Sequence, residues 1–277
     1  MSTDSVFQDK NYLRERQYSD SRNLDARAAL HRDFSTSVEG WQTWVFDHLE
    51  LAPGTAVLEC GCGPGWLWRE NLARIPADGQ ITLTDLSPGM VAEAEAALAH
   101  TGHDFHFQPV DIQQLPFADA SFDVVVANHM LYHVPDIEQA LSEVRRVLKP
   151  GGRLYAVTNG EAHMQELKAL QTEFAAHFGY DAQARPFFLL PFRLENGADY
   201  LSRHFETVAM RPFPDSLHVT EVEPLLAYIF SADEMRVQLT DEMMAAMREL
   251  VAAKMAASGG AIHVTKAVGM FVAEKQA

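Results

Sequence analysis

Three glycines, a proline and both cysteines of this 277-residue chain fall within the ten residues "VLECGCGPGW" at 57–66. Glycine permits a positive φ and carries no Cβ, so the main chain at Gly61, Gly63 and Gly65 could lie directly against a ligand. A helix that follows such a turn presents free N–H groups that favour negative charge. This spacing is therefore typical of a turn that binds a nucleotide-like cofactor.

Polar side chains recur after the short apolar runs that begin with this stretch. They are Glu59, Asp85, Asp111, Asn128 and His129. Asp85 comes 20 residues after Gly65, and a carboxylate at about that separation accepts from ribose hydroxyls in dinucleotide sites. Each residue could instead be a cap or turn residue, but their recurrence in this order favours a cofactor site.

The elements that must position these residues alternate between strands and helices. Apolar runs predict strands at "AVLEC", "QITLTD", "FHFQPV", "FDVVVA" and "RLYAVTN". Helices are predicted between them at "GWLWRENLARI", "SPGMVAEAEAALAH" and "PDIEQALSEVRRVLKPGG". This alternation predicts an α/β fold with a parallel sheet, whose ligand crevice lies beyond the carboxyl ends of the strands.

The flanking regions have a different character. Helical spacing predicts helices over 21–34, 41–49 and about 162–178. Two further helices are predicted between the strands "FETVAMRPF" and "AVGMFVAEK", and the methionines of the second are expected in the core. Some aromatic residues of this part could line a small-molecule pocket or pack in the core: Tyr180, Phe187, Phe188, Phe192 and Tyr200.

Four segments resemble motifs of the class I S-adenosylmethionine-dependent methyltransferases, of the bacterial small-molecule type. "VLECGCGPG" resembles their first motif, E/D-x-G-x-G-x-G, and "LTDLSPGM" resembles their acidic motif at the second strand. "VDIQQLPFADASFDVVVANHMLYHVPD" resembles the region from the third strand through the fourth, and "LSEVRRVLKPGGRL" the helix, turn and strand that follow. The resemblance covers roughly residues 54–160.

The resemblance implies a Rossmann-like, doubly wound α/β fold with helical cap elements. Its mostly parallel seven-stranded sheet would have an antiparallel last strand, here "GMFVAEK". The implied domains are a helical cap or lid in residues 1–50 and a methyltransferase domain in residues 51–277. A substrate-side insertion would lie around residues 178–260.

The implied cofactor is S-adenosylmethionine, with S-adenosylhomocysteine as its product. Glu59 and the backbone of Gly61 would lie near the methionine end, with Glu59 steadying the turn. Cys62 would also contact the cofactor. Gly63 and Gly65 would let the main chain pass close to the cofactor.

The nucleoside end of the cofactor is assigned by the same resemblance. Asp85 would accept from the ribose hydroxyls, and Leu86 and Met90 would pack on the adenine. Asp111 would accept from the adenine amino group, with the amide of Ile112 beside it.

The residues at the methyl-donating end of the cofactor are assigned in less detail. The resemblance places Asn128 and His129 on the methionine and methyl side. Methyl transfer needs the nucleophile, methyl carbon and sulfur in line, and a general base only if the acceptor loses a proton. His129 and His133 follow the fourth predicted strand, and His31 and Tyr18 could close over the methyl. Each histidine could equally be structural.

Composition limits the partners. The formal charge is −16, from 22 basic and 38 acidic residues, which repels nucleic-acid backbones. No apolar run approaches the roughly 18 residues of a membrane span, and the polar first residues predict no secretory signal. We therefore expect a cytoplasmic protein that acts on a small molecule at an O, N or C atom, without nucleic acid or membrane. Nothing in the sequence specifies its oligomeric state.

The cysteines and histidines predict no metal site, because they do not cluster with the spacing of ligands. Cys60 and Cys62 are expected to be reduced and packed.

Two alternative functions stay open at this level. An NAD-dependent oxidoreductase with a Rossmann domain would have the turn G-x-G-x-x-G, whereas this chain has G-x-G-x-G preceded by an acid. A non-catalytic S-adenosylmethionine-binding protein would keep the same cofactor site without turnover.

Overall fold

The computed structural model describes residues 8–178, 190–231 and 240–276. Its strands are β1 (Ala56–Cys60), β2 (Gln80–Asp85), β3 (Asp104–Pro109), β4 (Phe122–Asn128), β5 (Leu148–Asn159), β6 (Thr207–Pro212), β7 (Ser216–Val219), β8 (Ile262–Thr265) and β9 (Val268–Glu274). Its helices are α1 (Lys10–Tyr12), α2 (Arg22–Phe34), α3 (Trp41–His48), α4 (Trp66–Arg69), α5 (Pro88–Leu98), α6 (Ile137–Val147), α7 (Gln165–His177), α8 (Gly197–Leu201), α9 (Val222–Ile229) and α10 (Asp241–Ala257). A π-helical turn spans Leu13–Gln17, and 3₁₀ turns span Leu72–Arg74 and Leu131–His133.

Seven strands form one sheet in the order β3-β2-β1-β4-β5-β9-β6. Strands β1 to β5 pair in parallel, and β9 runs antiparallel to both β5 and β6. This confirms the Rossmann-like, mostly parallel seven-stranded sheet with an antiparallel last strand. The strand order reverses between β1 and β4, which is where a doubly wound sheet opens its ligand crevice.

The central strands contain runs of consecutive apolar residues because both of their faces are covered. Val124 and Val126 of β4 pack into the hydrophobic cluster on one side of the sheet. Val125 and Ala127 pack with Leu58 of β1 into the cluster on the other side. Successive side chains of a strand point to opposite faces, so an unbroken apolar run is required here.

A third hydrophobic cluster lies outside the large sheet. It joins Leu30 of α2, Leu217 of β7 and Leu226 of α9 with Met247 and Val251 of α10. The expectation that methionines of this last helix fill core space is confirmed for Met247. The two-stranded antiparallel sheet β7–β8 was not predicted, because each strand has only four residues and no long alternating pattern.

Two predicted helices differ from the structure. "GWLWRENLARI" is not one helix, since α4 stops at Arg69 and a 3₁₀ turn follows. Buried Asn71 explains the break, because its Nδ2 donates to Leu67 O at 2.8 Å and to Gln42 O at 3.1 Å. Helix α6 ends at Val147, and the "KPGG" that was expected to close it lies within β5.

The Ser87 cap is confirmed, and so are the two reduced cysteines. Ser87 Oγ accepts from Met90 N at the start of α5. Cys60 and Cys62 are free and buried. In the described ranges, no helix combines the length and apolar character needed to cross a membrane.

Candidate active site

A cavity of about 1160 Å³ opens at the carboxyl ends of β1, β2 and β4. The predicted site residues that line it are Tyr18, His31, Glu59, Gly61, Cys62, Gly63, Asp85, Leu86, Met90, Asp111, Ile112, Asn128, His129 and His133. Gly65 is not among the lining residues. The sheet edge therefore brings together residues that lie more than a hundred positions apart in the chain.

The turn after β1 is held open by main-chain hydrogen bonds. Gly61 N and Cys62 N both donate to Thr84 O of β2, at 2.7 and 2.9 Å. Gly61, Gly63 and Gly65 have φ values of 73°, 53° and 75°, a region that favours glycine. The turn therefore needs glycine for its backbone conformation at all three positions.

The three glycines face different surroundings. A Cβ at Gly61 would lie 2.7 Å from Met130 Cβ, and one at Gly65 would lie 2.8 Å from Leu98 Cδ1 of α5. At Gly63 the nearest atom would be Leu24 Cδ2, at an ordinary 3.6 Å. Gly65 thus allows close packing of the turn on α5. Gly63 leaves main chain exposed to the cavity.

Asp85 connects the turn to the next strand and helix. Its Oδ2 accepts from Gly63 N at 3.0 Å, and its Oδ1 accepts from Ser87 N at 2.8 Å. Burial raises the pKa of the Asp85 carboxyl, and the amide donors oppose that rise. Each carboxylate oxygen has a second lone-pair direction, so Asp85 can still accept from a ligand.

Glu59, the penultimate residue of β1, is a buried carboxyl with 2% of its surface exposed. Its Oε2 accepts from Trp68 Nε1 at 2.6 Å. Burial raises the pKa of Glu59 to about 8, so the carboxyl is mostly protonated at neutral pH. Trp68 was missed by the sequence analysis, although its place in "WLW" directly after the turn was a usable signal.

The loop after β3 forms another side of the cavity. Asp111 pairs with Lys10 Nζ of the N-terminal segment, and its Oδ1 accepts from Gln113 N at 3.0 Å. Ile112 and Met90 are 5% and 2% exposed, and both line the cavity. An acceptor beside apolar side chains suits a flat base that carries an amino group.

Asn128 is the last residue of β4, and His129 follows it. Asn128 Oδ1 is buried and has no hydrogen-bond partner among the described residues. His129 has a φ of 56°, and its ring centroid lies 5.2 Å from that of Trp41. Burial and the charge of Lys266 lower the pKa of His129 to about 3, so its ring is neutral at physiological pH. This buried oxygen is thus available to accept a hydrogen bond from a molecule in the cavity.

His133 is joined to the N-terminal segment. Its Nε2 lies 3.1 Å from Tyr18 Oη, and the two rings meet edge to face at 5.4 Å. The structure therefore brings together two of the four candidate catalytic residues.

His31 lies apart from this pair. Its ring stacks on His163 at 6.1 Å and meets Tyr228 edge-on at 5.7 Å. Burial lowers the pKa of His31 to about 3, and its buried Nδ1 has no partner in the described part of the chain. His31 is thus a neutral cavity residue.

Several cavity residues were missed by the sequence analysis. They are Arg27, Asn159, His163, Asp215 and Lys266. Arg27 stands one helical turn before His31 on α2, and that spacing could have indicated it. Asp215 and Lys266 form an almost fully buried ion pair, with side chains 1% and 6% exposed. No sequence signal connects those two, because they come from separate segments.

The sequence offered five aromatic residues as a possible pocket wall, and the structure describes two of them, Phe192 and Tyr200. Phe192 is fully buried against Phe271 and Tyr200, whose ring centroids both lie 6.0 Å from its own. Neither Phe192 nor Tyr200 lines the cavity. Core packing is therefore the correct interpretation for these two, while Tyr180, Phe187 and Phe188 lie outside the described residues.

Residues 58–156 match the protein family described as "Methyltransferase domain". A malonyl-[acyl-carrier protein] O-methyltransferase from Erwinia billingiae is 40% identical over 119 residues, covering 42% of this chain and 43% of that protein. A demethylmenaquinone methyltransferase from Symbiobacterium thermophilum is 27% identical over 222 residues, covering 74% and 81%. The chain spans about half the length of the first curated relatives that it matches.

The fold agrees with these matches. Phosphoethanolamine N-methyltransferase 2 from Haemonchus contortus, solved with S-adenosyl-L-methionine, superimposes with a TM-score of 0.58 at 18% identity, covering 99% of this chain and 61% of that one. The family match and the strand order show a methyltransferase domain of the class I S-adenosylmethionine-dependent type in residues 58–156 of this chain.

Proposed function

We propose that this chain binds S-adenosylmethionine in the cavity and transfers its methyl group to an oxygen, nitrogen or carbon atom of a small molecule. The observation that carries this proposal is the cavity edge itself. There, the carboxyls of Glu59, Asp85 and Asp111 and the partnerless oxygen of Asn128 surround the exposed main chain at Gly63. The methyltransferase names of the relatives support it.

The residues present fit this cofactor. S-adenosylmethionine carries hydroxyl, ammonium and amino donors, and the cavity offers acceptor oxygens on Asp85, Asp111 and Asn128. Leu86, Met90 and Ile112 supply apolar surface beside Asp111. Asp85 would hold the ribose hydroxyls, Asp111 the adenine amino group, and Asn128 a donor of the methionine end.

Bound there, the cofactor supplies an electrophilic methyl carbon with a neutral leaving group. The protein's contribution is to align the acceptor and to exclude water. His129, Trp41 and His31 line the cavity as rings, so they provide a partly apolar wall for the acceptor.

A proton released by the acceptor would go to the Tyr18–His133 pair. Tyr18 Oη can take it while passing its own proton to His133 Nε2, 3.1 Å away. His129 and His31 are poor bases, because pKa values of about 3 leave them little affinity for a proton near neutral pH. This distinguishes His133 and Tyr18 from the other two candidates.

The division into domains is also a proposal. Residues 1–50 would serve as a lid, since Lys10 reaches Asp111 and Tyr18 reaches His133 from that segment. The insertion around 178–260 contributes α9 and part of the third hydrophobic cluster beside α2. Acceptor specificity would then reside in these elements and not in the sheet.

Calorimetric titration tests the cofactor. S-adenosylhomocysteine should bind the wild-type chain, and NAD should give no heat beyond dilution. Binding of NAD without S-adenosylhomocysteine would overturn the proposal. Incubation with isotopically labelled S-adenosylmethionine and a metabolite extract should then show which mass gains a methyl group. Binding without transfer to any fraction would favour a non-catalytic binding protein.

A further inference from the structure

Arg27 of α2 brings a positive charge to the cavity wall without a carboxylate partner in the described part of the chain. Its Nε donates to Ser231 Oγ at 2.7 Å, and its Nη1 donates to Tyr18 Oη at 3.5 Å. Both partners are neutral hydroxyls. By contrast, Arg22 and Arg32 at the two ends of the same helix pair with Asp20 and Asp33.

The missing countercharge matters because Arg27 is half-buried in the cavity wall. A guanidinium stays protonated, and a charge withdrawn from water is costly unless another charge or polar groups compensate it. The two hydroxyls use two of its five N–H groups. The remaining N–H groups belong to a side chain that lines the cavity, where a bound molecule can reach them.

The other buried cation of the cavity is already compensated. Lys266 pairs with Asp215, and Asp215 also accepts from Ser35 Oγ at 2.8 Å and from Ser37 N at 3.0 Å. Lys266 therefore requires no anion from a ligand. Among the described residues, Arg27 is therefore the half-buried cation of the cavity that has no acidic partner.

The position of Arg27 relates it to the reacting groups. Tyr18 Oη lies between Arg27 Nη1 and His133 Nε2, so one oxygen atom connects the guanidinium to the proposed base. Rings surround this point: Tyr132 lies 4.6 Å from His133, and Tyr228 meets His31 edge-on. A small molecule with an apolar body could occupy this compartment while its charged end contacts Arg27.

We propose that Arg27 binds a carboxylate or phosphate group of the methyl acceptor, so that the substrate is a small organic anion. This inference rests on the proposed function, because it names the substrate class of the same cavity. The planar guanidinium matches both anions with paired N–H donors. The overall charge of −16 makes a local cation more necessary, since the surface field repels such a substrate.

Three probes of similar size test the inference by calorimetry on the protein saturated with S-adenosylhomocysteine, at constant ionic strength. They are benzoate, phenyl phosphate and neutral benzamide. We expect at least one anion to bind ten times more tightly than benzamide. Preference for benzoate identifies a carboxylate substrate, and preference for phenyl phosphate identifies a phosphorylated one. Equal or weaker binding of both anions overturns the inference.

Variants of Arg27 test whether this residue causes the preference for anions over benzamide. Arg27→Met should weaken the preferred anion at least tenfold and leave benzamide unchanged, and Arg27→Lys should retain part of the preference. Arg22→Met, an exposed change on the same helix, should bind the anion as the wild type does. Anion affinity that survives both changes at Arg27 overturns the inference. Melting temperature and S-adenosylhomocysteine affinity report whether each variant is folded.

These experiments distinguish a failure of the proposed function from a failure of the proposed substrate class. If S-adenosylhomocysteine does not bind, the proposed function is wrong, and the same probes titrated against the ligand-free protein still decide whether Arg27 selects anions. If S-adenosylhomocysteine binds but the anions show no preference over benzamide, the substrate class is wrong and the cofactor assignment stands.

Discussion

The backbone N–H of Gly63 donates to Asp85 Oδ2 at 3.0 Å, which joins the turn after β1 to the carboxyl end of β2. The other carboxylate oxygen accepts from Ser87 N, where α5 begins. One side chain thus determines the relative position of three elements around the cavity. Asp85 lines the proposed cofactor site and also holds the turn in place, so its loss should disturb the turn and weaken cofactor binding.

Asp85→Ala should weaken S-adenosylhomocysteine binding by about 30-fold, since hydrogen bonds to a charged group contribute roughly 2 kcal/mol. Calorimetry measures this. Asp104→Asn is the control, because Asp104 is an exposed acid at the start of β3. Equal affinities in Asp85→Ala and wild type would remove Asp85 from the site.

Gly63→Val should abolish S-adenosylhomocysteine binding, because the side chain would project where the main chain now faces the cavity. Gly102 is a matched control, with a φ of 86° and no atom within 4 Å of an added Cβ. Gly102→Val carries similar backbone strain without touching the cavity, so it should lower the melting temperature and keep the affinity. Equal affinity losses in the two variants would show that strain, and not occlusion, is responsible.

His133→Ala and Tyr18→Phe should each lower turnover on an identified acceptor at least tenfold, while S-adenosylhomocysteine affinity stays within twofold. The reason is that, in the proposed function, the pair would take up the proton released by the acceptor. Initial rates and calorimetry separate the two effects, and His106→Ala on the exposed part of β3 is the control. Wild-type turnover in both variants would exclude the pair from the reaction.

Glu59 makes stability depend on pH. Its pKa is about 8 in the folded chain, against an ordinary value of 4.5, so the folded state holds a proton that the unfolded state has lost. The resulting stabilisation is present below pH 4.5 and is lost as the pH rises through 8. The free energy of unfolding should fall by about 2 kcal/mol between pH 6.5 and 9. Glutamine cannot bind or release this proton, so denaturant titration of Glu59→Gln should show no such fall in the free energy of unfolding. An identical fall in the variant would contradict the assignment.

The cofactor edge could be predicted from sequence because its signals are local. The glycine turn, the Ser87 cap and the acid at the end of β2 each lie within a few residues of the element that they define. Parallel strands then bring them to one sheet edge. The apolar runs at 56–58 in β1 and 124–127 in β4 were equally reliable, since burial of both faces of the sheet favours apolar side chains at successive positions.

The acceptor side could not be predicted in the same way. Arg27 and Ser231 are 204 positions apart, and Tyr18 and His133 are 115 apart. Those contacts depend on how α2, α9 and the N-terminal segment pack against the sheet. No residue pattern in any one segment reports that packing, which is why Arg27, Asp215 and Lys266 were missed.

A crystal structure of the wild-type chain with S-adenosylhomocysteine tests the central claim most directly. We expect the ligand to lie across the main chain at 61–63. Its ribose hydroxyls should be within hydrogen-bond distance of the Asp85 carboxylate, and its adenine should lie beside Asp111. A ligand bound elsewhere, or bound here without contacting Asp85, would contradict it.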